Sequence, residues 1–417
     1  MMYGCIGEKL AHSFSKEIHA QLFDYKYELC EIEREKLGEF MQKKDFAAIN
    51  VTIPYKEQVI EYLDFIDQTA KKIGAVNTIV NQNGRLTGYN TDFSGITALI
   101  LKNSISLENK KVLVLGSGGT SKTALAVAEK LGAKVVLRVS RTARDGCITY
   151  DTAEKMHSDA DIIINTTPCG MYPNIGTAAV DIEKFPNLSG VVDAVYNPLR
   201  SKLVCDARNR GIKAAGGLYM LVAQAAFAAE KFTGQTVSRE KIDEVYLNLV
   251  KSKQNIVLVG MPGCGKSTIG KKLAEELGME FIDTDTEIEK NAGKSIPEIF
   301  AEIGESGFRD LESEAVLDVS KKQHAVIATG GGAVLRPENV SLLYQNGRIY
   351  FIDRPLSFIA ATDDRPLSSN RQDLEKRYLE RYDIYCASCD KQIKPSVDVS
   401  CNVQMIKEDF YNENTCD

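Results

Sequence analysis

Short continuous apolar runs alternate with amphipathic stretches along almost the whole chain. Tyr3 to Ile6 and "FAAINVTI" (Phe46 to Ile53) read as strands, the second ended by Pro54, and Ser15 to Phe23 reads as a capped helix. "KKVLVLGSGG" is a buried strand running into a glycine turn; the helical "TSKTALAVAEKLG" and the strand "AKVVLRVS" complete a βαβ unit. "DIIINTT" (Asp161 to Thr167) and "GVVDAVY" (Gly190 to Tyr196) are apolar on both faces, as strands of a covered parallel sheet must be. From Gly217 the pattern turns helical, "GLYMLVAQAAFAAEKFTG", and a second helix follows from about Ser238 to Lys251.

After only "KSKQ" a new apolar strand, "NIVLVG", restarts the alternation. The boundary therefore falls near residues 251–254, and so short a polar joint predicts close-lying parts rather than freely swinging ones. The predicted fold class is α/β throughout. Residues 1–250 hold a substrate-binding domain (about 1–95, with returning helices at about 217–250) and a Rossmann-like dinucleotide domain (about 96–216); residues 254–417 hold a P-loop domain with a parallel sheet.

The chain of 417 residues has room for two or three such cores. A net charge of -6, with no basic run or basic stripe interleaved with aromatics, argues against nucleic acid and for small-molecule partners. No signal-like N-terminus and no long apolar run is present, so no membrane segment is expected. The ten cysteines are scattered rather than framed, which fits a reducing cytoplasm. The one CxxC pair, Cys386 and Cys389, lacks the further ligands of a zinc site and reads as two neighbours on one helix face.

The turn "GSGGT", Gly116, Ser117, Gly118, Gly119 and Thr120, lies after a strand and before a helix, where backbone can approach a pyrophosphate. Its third glycine position is Ser121, so the following strand carries more of the argument. That strand ends in "SRTAR", with Ser140, Arg141 and Arg144 where NAD proteins place an acid; arginine there suits a 2′-phosphate and favours NADP. Upstream, "HSFS", "NVTIPYK", "GAVNT" and "GYNTDF" concentrate Ser13, Ser15, Asn50, Thr52, Asn77, Asn90, Thr91 and one Lys56/Asp92 pair. Such a set orients a polyhydroxylated substrate, and a lysine held by a carboxylate can move a proton while a nicotinamide moves hydride. Taken singly, Ser15 could be an N-cap and Lys56 a first-turn lysine on a helix opened by Pro54.

Those motifs, followed by "NTTPCGM", "DAVYNP" and "GLYMLVAQAA", resemble shikimate dehydrogenase over roughly residues 2–250. The resemblance implies Lys56 as acid/base with Asp92 as its partner, and Gly217 near the nicotinamide. It also implies substrate contacts from Ser13, Ser15, Thr52, Asn77, Asp92, Tyr196 and Gln224. "GEKLAHSFSK" lacks the prolines usual in that family, a change of turn rather than of polar groups.

"GMPGCGKST" matches the full P-loop pattern, and its Gly263, Cys264, Gly265 and Thr268 frame a phosphate cradle. Lys266 can reach the transferring phosphoryl group and Ser267 can ligate magnesium. Downstream come Asp283 and Asp285 in "FIDTDTEIE", Arg309 with Glu312 one turn on, glycines 330–332, Arg365 in "DDRPLS" and Arg381 in "YLERYDIY". This ordered set resembles shikimate kinase from residue 255 to about 411. The resemblance implies Lys266 and Arg365 as phosphoryl stabilisers, Ser267 and Asp283 at magnesium, Asp285 as base, and Arg309, Gly331 and Arg381 at the acceptor. The lid segment is short and has no arginine between Phe358 and Arg365.

The two resemblances reinforce each other, since the product of one reaction is the substrate of the next. Together they imply a bifunctional enzyme that reduces 3-dehydroshikimate with NADPH and phosphorylates shikimate with ATP and magnesium. The alternative is a dehydrogenase for quinate or a related cyclic hydroxy acid, whose P-loop half is a nucleotide-gated regulatory module. Retention of Asp285, Arg309 and Arg381 weighs against a mere sensor. Oligomeric state is not readable from the sequence.

Overall fold

The computed structural model describes residues 2–10, 13–143, 146–359 and 371–412. Three sheets divide the chain. The first contains β1 (Met2–Gly7), β2 (Tyr27–Glu31), β3 (Phe46–Val51), β4 (Phe65–Ile66), β5 (Thr78–Gln82) and β6 (Arg85–Tyr89), in the order β2-β1-β3-β5-β6-β4. It is mixed: β3–β5 and β5–β6 are antiparallel, the other pairs parallel.

The second sheet is wholly parallel, with β7 (Lys111–Leu115), β8 (Val135–Ser140), β9 (Cys147–Thr149), β10 (Ile162–Asn165), β11 (Gly190–Asp193) and β12 (Lys213–Ala215) ordered β12-β11-β10-β7-β8-β9. Its order reverses between β7 and β10, which opens a crevice at the carboxyl ends of those strands. The central strands are fully buried because helices cover both faces, giving the unbroken apolar runs "VLVL" and "III". Helices Thr91–Lys102, Leu218–Thr233 and Arg239–Lys253 pack on one face with Val112, Val114 and Ile164; Leu113, Leu115 and Ile163 face a separate core.

The third sheet, also parallel, contains β13 (Asn255–Val259), β14 (Glu280–Asp283), β15 (Ala325–Ala328), β16 (Gly347–Ile352) and β17 (Lys391–Ile393), ordered β14-β15-β13-β16-β17. The helix Arg239–Lys253 gives way to β13 across Gln254 alone. Among the described residues, no helix is long and apolar enough to cross a membrane.

Several local expectations are corrected. The helix starting at Ser15 has Phe14 at its N-cap, with no side-chain capping bond. Strand β3 stops at Val51, and Lys56 lies in a turn, not on a helix: Tyr55, fully buried and bonded through its hydroxyl to the Ile32 carbonyl, pins residues 52–57 into a tight bend. Strands β10 and β11 end at Asn165 and Asp193, where the two side chains bond to each other at 2.9 Å and turn the chain. Cys389 lies just beyond the helix Arg371–Ser388 that carries Cys386, and its Sγ meets the Cys386 carbonyl at 3.5 Å.

Candidate active sites

The first site grows from the start of the helix Thr91–Lys102. Asn90 caps it by accepting from the Phe93 N–H at 3.1 Å, which puts Asp92 in the first turn, facing inward. Lys56 Nζ donates to Asp92 Oδ2 at 2.6 Å; the lysine side chain is 13% exposed and the carboxylate 1%. Asn77 Nδ2 donates to the other oxygen of Asp92, Oδ1, at 2.9 Å, while the side-chain Oδ1 of Asn77 accepts from the Thr91 N–H at 2.7 Å. Both oxygens of the carboxylate are thus fixed before any ligand arrives. A buried pair of this kind is stable only because such extra hydrogen bonds offset its desolvation.

Around this pair lies a cavity of about 480 Å³. Ser13, Ser15, Thr52, Lys56, Asn77, Asp92, Tyr196, Gly217 and Gln224 all line it. The Ser13 and Ser15 hydroxyls bond to each other at 3.0 Å, and Tyr196 meets Phe14 edge-on at 5.3 Å. Thr120, Thr166 and Thr167 close the far wall, so the cavity opens onto the crevice of the second sheet. Gly119 brings the glycine turn against the lysine: a Cβ there would stand 3.5 Å from Lys56 Cβ. Gly217 admits no side chain at all, because a Cβ would fall 2.3 Å from the Ala194 carbonyl oxygen.

The second site is built at the carboxyl ends of β13, β14 and β15. Gly265, at φ +102, lets the chain turn from β13 into the helix Lys266–Leu277. Lys266 Nζ folds over the loop and donates to the carbonyls of Gly260 and Met261 at 2.9 and 3.0 Å. Ser267 Oγ donates to Asp283 Oδ2 at 2.6 Å, and Asp283 Oδ1 caps the next helix through the Asp285 N–H at 3.1 Å. Asp283 is therefore both a helix cap and a neighbour of the P-loop serine.

Burial, with the negative charge of Asp283 beside it, pushes the Asp285 carboxyl up to about 6. Arg309 bonds Glu312 at 2.6 Å and Glu305 at 3.2 Å, while Glu312 Oε1 is buried with no partner among the described residues. The Arg309 guanidinium lies across Gly332, within 2.1 Å of where a Cβ would stand, so a side chain there would displace it. The Gly331 carbonyl accepts from Arg381 Nη1 at 3.1 Å and from the Tyr385 hydroxyl at 2.5 Å. A cavity of about 730 Å³ gathers Gly263, Gly265, Lys266, Ser267, Thr268, Asp283, Asp285, Arg309, Gly331 and Arg381 on its walls.

Comparison with known proteins gives the same two halves. The family model described as the shikimate dehydrogenase substrate binding domain matches residues 5–79. A shikimate dehydrogenase (NADP(+)) from Clostridium beijerinckii is 41% identical over 243 residues, 55% of this chain and 90% of that protein. The chain belongs to the shikimate dehydrogenase family. The family model described as shikimate kinase matches residues 262–407, so the polypeptide also carries a shikimate kinase domain.

Solved structures agree for the dehydrogenase half. Shikimate dehydrogenase 1 from Peptoclostridium difficile is 34% identical with a TM-score of 0.56, covering 60% of this chain and 97% of its own. The Thermus thermophilus enzyme, solved in complex with NADP(H) and shikimate, is 28% identical with a TM-score of 0.54, covering 60% and 99%.

Ser140 and Arg141 stand at the end of β8, with Arg141 exposed. Arg144 and Arg365, with the lid around the latter, lie outside the described residues. The Cys264 thiol is buried in the kinase core, where its Sγ accepts from Lys266 Nζ at 3.8 Å. Sequence reasoning missed Lys9, Met220 and His19 in the dehydrogenase cavity, and Pro262, Phe308 and Tyr385 around the kinase site. Burial pushes the His19 imidazole down to about 3, so it sits neutral, stacked on Tyr27 at 3.9 Å. Pro262, Met220 and Tyr385 lie inside quoted motifs but were not singled out within them; Lys9 and His19 are brought to the cavity by packing.

The donor sets suit the groups the families use. Gly118 faces open space at the start of the helix Gly119–Lys130, leaving room for a diphosphate on its N-terminus. Ser267 and Asp283 present a hydroxyl and a carboxylate side by side, a hard oxygen pair suited to Mg²⁺.

Proposed function

We propose that this chain carries out two successive steps, reducing 3-dehydroshikimate to shikimate and then phosphorylating shikimate. Residues 1–250 form the dehydrogenase and residues 254–417 the kinase, both working in the cytoplasm. The observation that carries the proposal is the pairing of two cavities on one chain, one around Lys56–Asp92 and one around Lys266–Asp285.

In the first cavity the Lys56 ammonium gives its proton to the substrate carbonyl oxygen as that oxygen gains charge, and Asp92 holds the amine in line. NADPH, when bound across Gly116 to Thr120 with its 2′-phosphate toward Ser140, Arg141 and Arg144, supplies the hydride. Ser13, Ser15, Thr52, Asn77, Tyr196 and Gln224 orient the substrate's oxygens, and Gly217 lies near the nicotinamide.

In the second cavity Asp285 accepts the proton of the attacking hydroxyl, a task that suits its raised affinity for protons. Arg309, aligned by Glu312, and Arg381 hold the acceptor against Gly331. Lys266 and Arg365 neutralise the transferring phosphoryl group, with the cradle of Gly263, Cys264, Gly265 and Thr268 beneath the triphosphate of ATP. Mg²⁺, when held by Ser267 and Asp283, screens the phosphate oxygens.

The test is to incubate the purified chain with 3-dehydroshikimate, NADPH, ATP and Mg²⁺ and follow NADPH loss and ADP formation together. Both should proceed, and ADP should form without NADPH when shikimate is supplied. ATP turnover indifferent to shikimate would instead make the second half a nucleotide switch.

A further inference from the structure

We infer that Arg200 is a positioning residue for the dehydrogenase cavity, and that it acts by anchoring the loop of Tyr196 to the kinase domain. The proposal rests on the functional reading above. The loop 194–201 follows β11, and its two ends are held by one carboxylate. Asp193, fully buried, accepts from the Val195 N–H and Asn165 Nδ2 at 2.9 Å each, and from Ser201 Oγ at 2.5 Å. The near part of the loop serves the dehydrogenase: Tyr196 lines the cavity, and the Val195 carbonyl accepts from the Gly217 N–H at 2.8 Å.

The far part leaves that half altogether. Arg200, 3% exposed, donates from Nε to the Tyr344 carbonyl at 2.8 Å and from Nη2 to the Gly347 carbonyl at 2.5 Å. Its own N–H reaches the Gln345 carbonyl at 2.9 Å, and its guanidinium lies 3.9 Å from the Tyr344 ring centre. Leu199 N–H donates to Asn346 Oδ1 at 2.9 Å, and Gln323 Nε2 donates to Asn197 Oδ1 at 3.0 Å.

Two of these acceptors, the Tyr344 and Gln345 carbonyls, lie in the last turn of the kinase helix Pro337–Asn346, whose final carbonyls have no partner within the helix; the Gly347 carbonyl belongs to the first residue of β16. A cation at that end is favoured by the helix dipole, and a planar fork can serve two carbonyls at once where an ammonium could serve them only singly. Arg200 thus closes a kinase helix from a dehydrogenase loop. The dehydrogenase relatives match 55–60% of this chain over 90–98% of their own length, so they have no counterpart of residues 344–347 to hold the loop. In this chain the wall carrying Tyr196 is completed by the kinase domain.

The experiment uses the full chain and steady-state NADPH consumption. Arg200→Ala should raise KM for 3-dehydroshikimate about five- to tenfold while changing kcat less than about twofold, because the Tyr196 wall binds substrate and transition state alike and its contact is weakened in both. Arg200→Lys should fall between the two, and Gln323→Ala, a mild change at the same joint, should shift KM in the same direction by a smaller factor. In a Tyr196→Phe background the Arg200→Ala effect should shrink, since two residues acting through one contact are not additive. A lowered melting temperature with KM unchanged in all three variants, or full additivity with Tyr196→Phe, overturns the assignment. A wild-type chain that consumes no NADPH would remove the functional reading itself, an outcome distinct from an active wild type matched by an equally active Arg200→Ala.

Discussion

The lysine of the dehydrogenase cavity is paired with a carboxylate, whereas the P-loop lysine of the kinase cavity rests on backbone carbonyls. Lys56 meets Asp92, whose second oxygen is held by Asn77, so the proton donor and its partner are fixed in advance. Lys266 instead rests on two loop carbonyls, Glu312 keeps one buried oxygen without a partner among the described residues, and Asp285 is driven toward its neutral form. The difference follows from the chemistry each site is assigned. A proton delivered to a neutral carbonyl is best given by a donor already held in line, while phosphoryl transfer brings its own negative charge, and the P-loop lysine that would meet it is held only by two loop carbonyls.

The most severe way to break this comparison is to remove the two lysines in turn. Lys266→Ala should cut shikimate phosphorylation by about a thousandfold or more, and Lys56→Ala should cut reduction by about 10²- to 10⁴-fold, each sparing the other activity. Separate assays with supplied shikimate and with 3-dehydroshikimate read this out; loss of both activities from either change in a folded chain would show that the sites are not independent.

A smaller effect should come from pH. With the Asp285 carboxyl raised to about 6, lowering the pH protonates the group that must accept the acceptor's proton. The kinase kcat/KM for shikimate, which reports the free enzyme, should fall about tenfold between pH 7 and 5. Asp285→Asn should lower the activity throughout and flatten that limb. A limb that persists unchanged in Asp285→Asn would assign it to another group.

The mildest test is Ser13→Ala. It removes one hydroxyl from a pair 3.0 Å apart on the cavity wall, a loss on the order of 1 kcal/mol. KM for 3-dehydroshikimate should rise severalfold with kinase rates untouched, and no change would place Ser13 outside the substrate's reach.

Much of this was legible without a structure where a residue's job is local. "GMPGCGKST" announced its loop because glycines must stand where φ is positive. The alternative that made Lys56 a first-turn helical lysine does not hold, because the bend that carries it is fixed by Tyr55 reaching the Ile32 carbonyl, across 23 residues of sequence. His19 left no local signal, since it is placed by stacking on another element.

By itself the sequence determined the alternation of covered strands and helices, the two glycine turns and the order of the polar motifs, all of which depend on neighbours within a few residues. Tertiary structure alone decided how Lys56, Asn77 and Asp92 close into one network and why the Asp285 carboxyl is raised above its ordinary range. It alone also decided that Arg200 spans the two halves. Each depends on burial and on partners far away in the chain, and neither distance nor desolvation is written in a local pattern.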